Sequence, residues 1–346
     1  MTRNMIEANK DLFRRLVEYC QDREWPIDNP DAARWVHLDG DAKEVLKHLK
    51  IESVLSFGRY QHLTRVRVRN RSYIATIGYE HEFLSSGLLQ LEDTQGFDVC
   101  LLSELKVEPV VDAASVFNVV SAGSREEGGE DYAGHDLISI AHLFPVLRVY
   151  ESTSELSEET ARCIFLKMCV EECQLGGSWV NQQLADSLET LADLNVPSLP
   201  YHELCRAVFD RDPRSLYMAL YRCIEATYAF DKASALVSKL DLKMEWTELA
   251  AVLQDNLNWR APEAQSLNVA LSRAQNRDLL DLCSCLGVEE GSDVRSTAGT
   301  AIYKLRNQIV HYRPTSQPLR FESIDWNRVC TLLVAISMDV FHGAYS

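Results

Sequence analysis

Three side chains near the carboxyl end of the chain have the residue types and spacing for acid–base chemistry on a phosphodiester. Arg306 is followed directly by Asn307, and His311 comes four residues after Asn307. Histidine titrates near neutral pH and can move a proton in either direction, and arginine is a permanently charged, forked donor to phosphate oxygens. With a ribose 2′-hydroxyl as nucleophile, such a set needs no metal ion. These residues are the candidate catalytic group.

The spacing places this group around one side of a helix. Asn307 and His311 share a helical face, because side chains four residues apart are neighbours on a helix. Arg306 and His311 are separated by about 500° of rotation, about 140° beyond a full turn, so they would flank a groove. A second copy of the helix across a twofold axis would complete that groove. The geometry therefore predicts a homodimer or a higher even assembly.

Residues 301–312 resemble the signature of the HEPN family: an arginine, usually followed by a polar residue, four to six positions and a histidine. The segment lies on the penultimate predicted helix and is followed by a proline-bearing break and one last amphipathic helix. An earlier segment, 216–228, is similar to the early core helix of HEPN domains, in which an apolar face carries an embedded glutamate, here Glu225. The resemblance covers about residues 200–346.

The resemblance implies a metal-independent endoribonuclease that acts as a dimer and whose partner is RNA. Its catalytic residues would be Arg306, Asn307 and His311, with Glu225 as an accessory group and Tyr312 as an RNA contact. It implies no cofactor and no bound metal. A variable N-terminal module joined to a HEPN effector is similar to prokaryotic antiviral and abortive-infection ribonucleases, so a regulatory protein or a nucleotide is expected as the trigger.

Two alternatives stay open. A HEPN-like bundle without nuclease activity would serve as a scaffold for protein assembly. The second alternative is the toxin of a toxin–antitoxin pair, since some HEPN toxins paired with nucleotidyltransferases have a tyrosine two positions after the histidine. Here Tyr312 follows His311 directly and Arg313 occupies the next position. That departure disfavours the toxin subclass.

A second cluster of cations lies in the N-terminal half. Arg65, Arg67, Arg69 and Arg71 recur at every second position. On one strand they would point to the same face, opposite the valines between them. In a chain with a formal net charge of −16, this pattern predicts a face that binds the phosphates of RNA or of a nucleotide. The alternative is a solvated edge strand, where charge prevents edge pairing.

The apolar periodicity divides the chain into an α+β sensor or recruitment domain, residues 1–153, and an all-α HEPN-like bundle, residues 154–346. In the first domain it predicts helices over 5–20 and 41–50 and strands over 54–57, 63–69, 73–77, 97–102 and 114–120, with a hairpin between 63–69 and 73–77. In the second it predicts helices over 158–174, 179–194, 213–240, 245–256, 262–286, 296–312 and 325–342.

The composition excludes several classes of protein. A net charge of −16 argues against coating nucleic acid by charge alone. No run of 18 apolar residues and no apolar leader is present, so we expect a cytoplasmic protein with no membrane partner. The ten cysteines lack matched ligand pairs and predict buried thiols. The chain has no P-loop, nucleophile-elbow or zincin motif.

Overall fold

A computed structural model of the chain describes residues 5–85, 87–122, 133–196, 198–289, 291–311 and 323–345. The chain divides into two compact units, the first ending at Ala161 and the second beginning at Arg162. The predicted change from mixed α and β structure to helical structure is confirmed: all five described strands lie in the first unit, and the second unit is built from helices.

An antiparallel sheet forms the centre of the first unit, with its strands in the order β1-β2-β3-β5-β4. The first three strands are joined as successive hairpins, as predicted for β2 and β3, and β5 pairs with both β3 and β4. The strands are β1 (Leu49–Phe57), β2 (Gln61–Val68), β3 (Arg71–Ile77), β4 (Leu88–Gln90) and β5 (Leu147–Ser152).

Helices cover the apolar side of this sheet, and α3 is the most enclosed of them. The first unit contains α1 (Met5–Gln21), α2 (Gly40–His48), α3 (Gln95–Glu104), α4 (Ala113–Ser121) and α5 (Leu137–Ala141). The predictions of strands over 97–102 and 114–120 are wrong, because these segments lie within α3 and α4. Every residue of α3 from Gly96 to Ser103 is buried, so the helix has no exposed polar side and its sequence has no helical period to detect.

The second unit is a bundle in which α15 packs against α7, α9 and α13, while α14 packs against α9, α12 and α13. A 3-10 turn, Leu271–Arg273, separates α12 from α13. The helices are α6 (Glu158–Leu175), α7 (Gln182–Ala192), α8 (Tyr201–Phe209), α9 (Pro213–Glu225), α10 (Phe230–Lys239), α11 (Trp246–Leu257), α12 (Glu263–Ala270), α13 (Asn276–Cys285), α14 (Val294–Val310) and α15 (Trp326–Tyr345).

Two helices predicted as continuous are broken in the structure. The predicted helix 213–240 is interrupted at 226–229, where backbone N–H groups donate to carbonyls three residues back and the Thr227 hydroxyl donates to the Ile224 carbonyl at 2.8 Å. Such bonds tighten the chain and compete with the helical pattern. The predicted helix 262–286 is divided in the same way by the 3-10 turn. The first break contains Tyr228 and directly follows Glu225.

Nine of the ten cysteines are buried and Cys285 is half-buried, so the prediction of buried thiols is confirmed for nine of them. Across the described residues, no three or more His, Cys, Asp or Glu side chains are arranged to hold a metal ion. None of the described helices has both the length and the hydropathy required to cross a membrane.

Candidate active site on helix α14

Close packing between α12 and α14 sets the geometry of the site. A Cβ atom at Gly299 of α14 would overlap the side-chain amide of Asn268 on α12, so a larger residue there would require this side chain to shift. The hydroxyl of Tyr217 on α9 donates to the Ile302 carbonyl at 2.8 Å and ties a third helix to α14. These contacts bring the first turn of α12 and the last turns of α9 and α14 together.

The guanidinium of Arg306 is held from several directions. Its Nη1 donates to Asn307 Oδ1 at 3.0 Å, and its Nη2 lies 3.2 Å from Glu263 Oε1. Its Cζ lies 5.8 Å from the centre of the Tyr221 ring, within the range of a cation–π interaction. The side chain is 21% exposed. The structure therefore joins the predicted residues Arg306 and Asn307 directly and reveals an acidic partner for the arginine.

Glu263, in the first turn of α12, accepts hydrogen bonds from two more helices. Tyr221 of α9 donates to Oε1 at 2.9 Å, and Tyr303 of α14 donates to Oε2 at 3.5 Å. Tyr228 donates in turn to the Tyr221 hydroxyl at 3.1 Å. Burial raises the pKa of both Tyr221 and Tyr228, so both remain protonated donors at neutral pH. We call Arg306, Asn307, Glu263 and these three tyrosines the Arg306 cluster.

Glu225, the predicted accessory residue, is the last residue of α9. Burial raises the pKa of its carboxyl, and the nearby charge of Glu263 adds to this effect, while Arg306 acts in the opposite direction. Glu225 is thus within electrostatic range of the Arg306 cluster. A carboxyl group with a raised pKa holds its proton at higher pH than usual.

His311 lies outside the Arg306 cluster, where α14 ends. Its backbone N–H donates to the Asn307 carbonyl, and its φ of −109° and ψ of 109° take the chain out of the helix. The side chain is exposed, and no described residue forms a hydrogen bond with its imidazole. Tyr312, the predicted RNA contact, lies outside the described residues. The exposed imidazole is accessible to a ligand that approaches the end of α14.

A cleft of about 550 Å³ opens beside the Arg306 cluster. Two residues next to or within the cluster, Glu225 and Tyr228, form part of its wall. The other lining residues are Ser198, Ala226, Ala229, Trp246, Thr247, Ala250, Ala251, Gln254, Trp259, Arg260, Ala261 and Tyr345. The cleft lies within the second unit and is large enough for a small ligand.

Sequence reasoning missed Glu263 and the tyrosines of the Arg306 cluster. Glu263 follows Pro262 at the start of a helix, where an acidic residue is expected for its interaction with the helix dipole. Tyr221 and Tyr228 are seven residues apart, a spacing that also fits an apolar helix face. The sequence could have indicated only that these tyrosines, if buried, need a polar partner for their hydroxyl groups.

The arginines of the N-terminal half are paired within their own unit. Arg65 lies 3.1 Å and Arg67 lies 2.7 Å from the carboxylate of Glu52. Arg67 also lies 3.3 Å from Glu155, and the Arg65 guanidinium donates to the Leu156 carbonyl at 3.0 Å. A phosphate group would have to displace these acceptors before it could bind the two arginines.

The prediction that all four of these arginines share one face is wrong. Arg69 lies in the turn between β2 and β3, with a φ of 54°, and pairs with Glu44 at 2.7 Å. Arg71 is the first residue of β3 and is opposite Val68 in the register, so it points to the face opposite that of Arg65 and Arg67. After the two-residue turn, Arg71 lies on the same face as Val68, so the alternation along β2 does not continue into β3. Arg71 pairs with Glu151 at 3.1 Å.

Comparison of the chain with protein-family models, with curated proteins and with solved structures finds no match in any of the three. The resemblance of residues 216–228 and 301–312 to the HEPN family stays a prediction from the sequence.

Proposed function

We propose that the chain is a metal-independent endoribonuclease of the HEPN type. The observation that carries the proposal is the hydrogen-bonded pair of Arg306 and Asn307 on α14, followed at the helix end by the exposed imidazole of His311. An arginine, an amide and a titratable imidazole are sufficient for RNA cleavage, because RNA supplies its own nucleophile.

In the proposed reaction a ribose 2′-oxygen attacks the adjacent phosphorus. His311 removes the proton of the 2′-hydroxyl, the 2′-oxygen–phosphorus bond forms, and the bond from phosphorus to the 5′-oxygen breaks. Arg306 donates to the non-bridging oxygens, where negative charge accumulates in the transition state. A protonated imidazole returns a proton to the leaving 5′-oxygen. The products are a 2′,3′-cyclic phosphate, which can open to a 3′-phosphate, and a 5′-hydroxyl.

The Arg306 cluster provides a means of releasing the arginine to a substrate. When a phosphate draws the guanidinium away from Glu263, the hydroxyls of Tyr221 and Tyr303 still donate to that carboxylate. The carboxylate is then not left without donors, so the cost of opening the ion pair is reduced. Asn307 moves with the arginine that it binds.

We further propose that two chains complete one groove, so that the histidine of one chain acts as base and that of the other as acid. Five apolar residues of α15 are not available for such a contact. They are buried inside the bundle, where α15 contacts helices on several sides: Val329, Leu332, Leu333, Ile336 and Val340. Val310, which is 48% exposed and precedes His311, is a better candidate for the contact.

A non-catalytic scaffold is the second candidate, and the ion pair between Arg306 and Glu263 favours it. A pair that only joined α12 to α14 would look the same in the absence of RNA. For the cellular role we propose an antiviral or abortive-infection effector acting on RNA in the cytoplasm under the control of a regulatory protein or nucleotide. That role rests on the likeness to HEPN effectors alone.

The test is RNA cleavage by the purified chain and by the variants Arg306→Ala and His311→Ala. Each variant should lose at least about 100-fold in activity, the usual contribution of an acid–base residue or an oxyanion donor. Arg295→Ala is the matched control, since Arg295 is exposed in the first turn of the same helix. Circular dichroism checks that the helices persist. Full activity in either site variant would refute the assignment.

A further inference from the structure

The cleft beside the Arg306 cluster has two tryptophans, Trp246 and Trp259, in its wall. The indole Nε1 of Trp246 donates to the Ala344 carbonyl at 3.2 Å, and its ring lies 5.3 Å from that of Tyr345. Trp259 is half-buried. It follows Asn258, whose φ of 50° ends α11 in the left-handed conformation, and its N–H donates to the Leu253 carbonyl at 3.2 Å. The ring of Trp246 and the main chain of Trp259 are thus held, and aromatic rings suit a planar ligand.

Arg260 differs from the arginines of the hairpin and of the Arg306 cluster in having no acidic partner among the described residues. It is exposed, lines the cleft and has no carboxylate within ion-pairing distance in the part of the chain that the structure describes. Arg65, Arg67 and Arg306 all have one. In a chain with a net charge of −16, an unpaired guanidinium beside two tryptophans indicates an anionic ligand that carries a ring.

A second groove continues this chemistry. It has a volume of about 790 Å³ and shares Trp259 and Arg260 with the cleft. Lys232 and Lys239 also line it, and its described lining contains no aspartate or glutamate. Neither lysine has an ion-pair partner among the described residues. A row of three cations without acids fits successive phosphate groups.

We infer that the aromatic cleft binds a nucleotide, with its base against Trp259 and its phosphate at Arg260. A base can stack on an indole whatever its identity, and the forked guanidinium matches a phosphate. Glu225 and Gln254, on the cleft wall, offer hydrogen-bonding groups to the edge of a base. The volume of about 550 Å³ is within the range of ordinary small-molecule sites.

The nucleotide has two sources that share this chemistry. It is either part of an RNA strand that continues along Lys232 and Lys239, or a free nucleotide held in the cleft alone. The inference that the ligand is an RNA strand rests on the proposed ribonuclease function. The inference that the cleft binds a nucleotide does not. Binding is measured with ligands that cannot be cleaved, so failure of the cleft and failure of the catalytic proposal are distinguishable.

The experiment is calorimetric titration of the full chain with the four ribonucleoside 5′-monophosphates and with a 2′-O-methyl RNA pentamer of mixed sequence. The pentamer lacks the 2′-hydroxyl required for cleavage. Trp259→Ala and Arg260→Gln should each weaken binding about tenfold, the scale of one lost stacking or charged contact. Trp259→Phe keeps a ring and should stay within about threefold. Arg295→Gln removes the same charge outside the cleft and should bind as wild type.

The two sources are separated by the double variant Lys232→Gln/Lys239→Gln. If the ligand is a strand, this variant weakens binding of the pentamer and leaves the mononucleotides unchanged. If the ligand is a free nucleotide, both ligands bind as they do to wild type. The inference is overturned if wild type binds neither ligand up to about 1 mM. It is also overturned if both Trp259→Ala and Arg260→Gln bind as tightly as wild type.

Discussion

The ion pairs of Glu52 with the β2–β3 hairpin and of Glu263 in the Arg306 cluster are similar in distance and burial but differ in what surrounds them. In the hairpin, one carboxylate, Glu52, serves two arginines, Arg65 and Arg67. In the cluster, one carboxylate, Glu263, serves a single arginine and two tyrosine hydroxyls. Glu52 is therefore contacted by two positive charges. Glu263 is contacted by one positive charge and by two uncharged hydrogen-bond donors.

This difference determines what each arginine can release. The described side-chain partners of Glu52 are the two arginines, both charged. When these ion pairs open, the carboxylate keeps neither of them, and the two arginines lose their shared partner. Opening the Arg306 pair leaves Glu263 bonded to Tyr221 and Tyr303. An ion pair whose carboxylate keeps other hydrogen-bond donors when it opens can exchange its arginine with a ligand. The Glu52 ion pairs have no such donors among the described side chains and are suited to holding the β-strands together.

The largest effect is expected from mixing inactive chains. In a mixed dimer of Arg306→Ala and His311→Ala chains, one intact arginine and one intact histidine remain. Because the proposed site uses a histidine from each chain, the mixture should stay at least about 100-fold below wild type, and recovered activity would show that one histidine is sufficient. A mixture that is dimeric but as inactive as its components would show that both copies are needed. An active monomer at micromolar concentration would refute the composite groove.

The next effect concerns a buried acid of the first unit. Asp98 is buried on α3, accepts a hydrogen bond from the Thr94 hydroxyl at 2.9 Å, and has a pKa raised to about 7, chiefly by burial. The folded state therefore binds the proton more tightly than the unfolded chain. The free energy of unfolding should fall as pH rises from about 4 to about 7, by about 4 kcal/mol at most.

Asp98→Asn should remove this pH dependence, because the amide does not titrate and still accepts from Thr94. The measurement is hydrogen exchange of the α3 amides between pH 4 and 8, corrected for intrinsic exchange rates. The Arg306 cluster and its cleavage activity should be unaffected. An unchanged pH slope in the variant would show that Asp98 is not the titrating group.

Removing the two shared carboxylates compares the hairpin and the cluster directly. Glu52→Gln should lower the stability of the first unit by about 1–3 kcal/mol, since two partly buried arginines lose their counter-charge, and RNA cleavage should not change. Glu263→Gln should instead lower the KM for RNA about fivefold, because Arg306 no longer has to leave an anion. Urea denaturation and steady-state kinetics measure the two effects. Equal effects of both variants on KM would remove the distinction between the two regions.

The smallest effect is expected from the four hairpin arginines. Each has an internal carboxylate within 3.3 Å, so RNA gains little from them. Changing Arg65, Arg67, Arg69 and Arg71 to glutamine should leave the RNA affinity within about twofold and its salt dependence unchanged. A salt slope that falls by about one unit for each arginine would show that phosphates displace the carboxylates.

The sequence predicted the parts of the fold in which one apolar period is dominant. Strand β2 and helix α14 were found because each alternates between polar and apolar positions with one dominant period, and β3 was found from the polar break that precedes it. The segments at Phe97 and Val116 could not be assigned, because α3 is buried all round and α4 is short and apolar. These segments are helical because of the structure that packs around them. The spacing of apolar residues within each segment does not show this.

The site was predictable only as far as one helix reaches. Arg306, Asn307 and His311 are close in sequence, so their spacing alone relates them. Glu263 and Tyr221 are 43 and 85 residues from Arg306 in the sequence, and they reach it because α9, α12 and α14 pack against one another. Contacts between segments that are distant in sequence depend on how the helices pack, and no sequence motif predicts them.

The most direct test of the account is the chemistry of the RNA ends. Wild type and His311→Ala are incubated with RNA in the presence and absence of EDTA, and the product ends are identified by mass spectrometry. The account predicts cleavage by wild type that persists in EDTA and leaves 2′,3′-cyclic phosphate or 3′-phosphate ends, and no cleavage by His311→Ala. Cleavage that is lost in EDTA and restored by magnesium, or 5′-phosphate products, would contradict it.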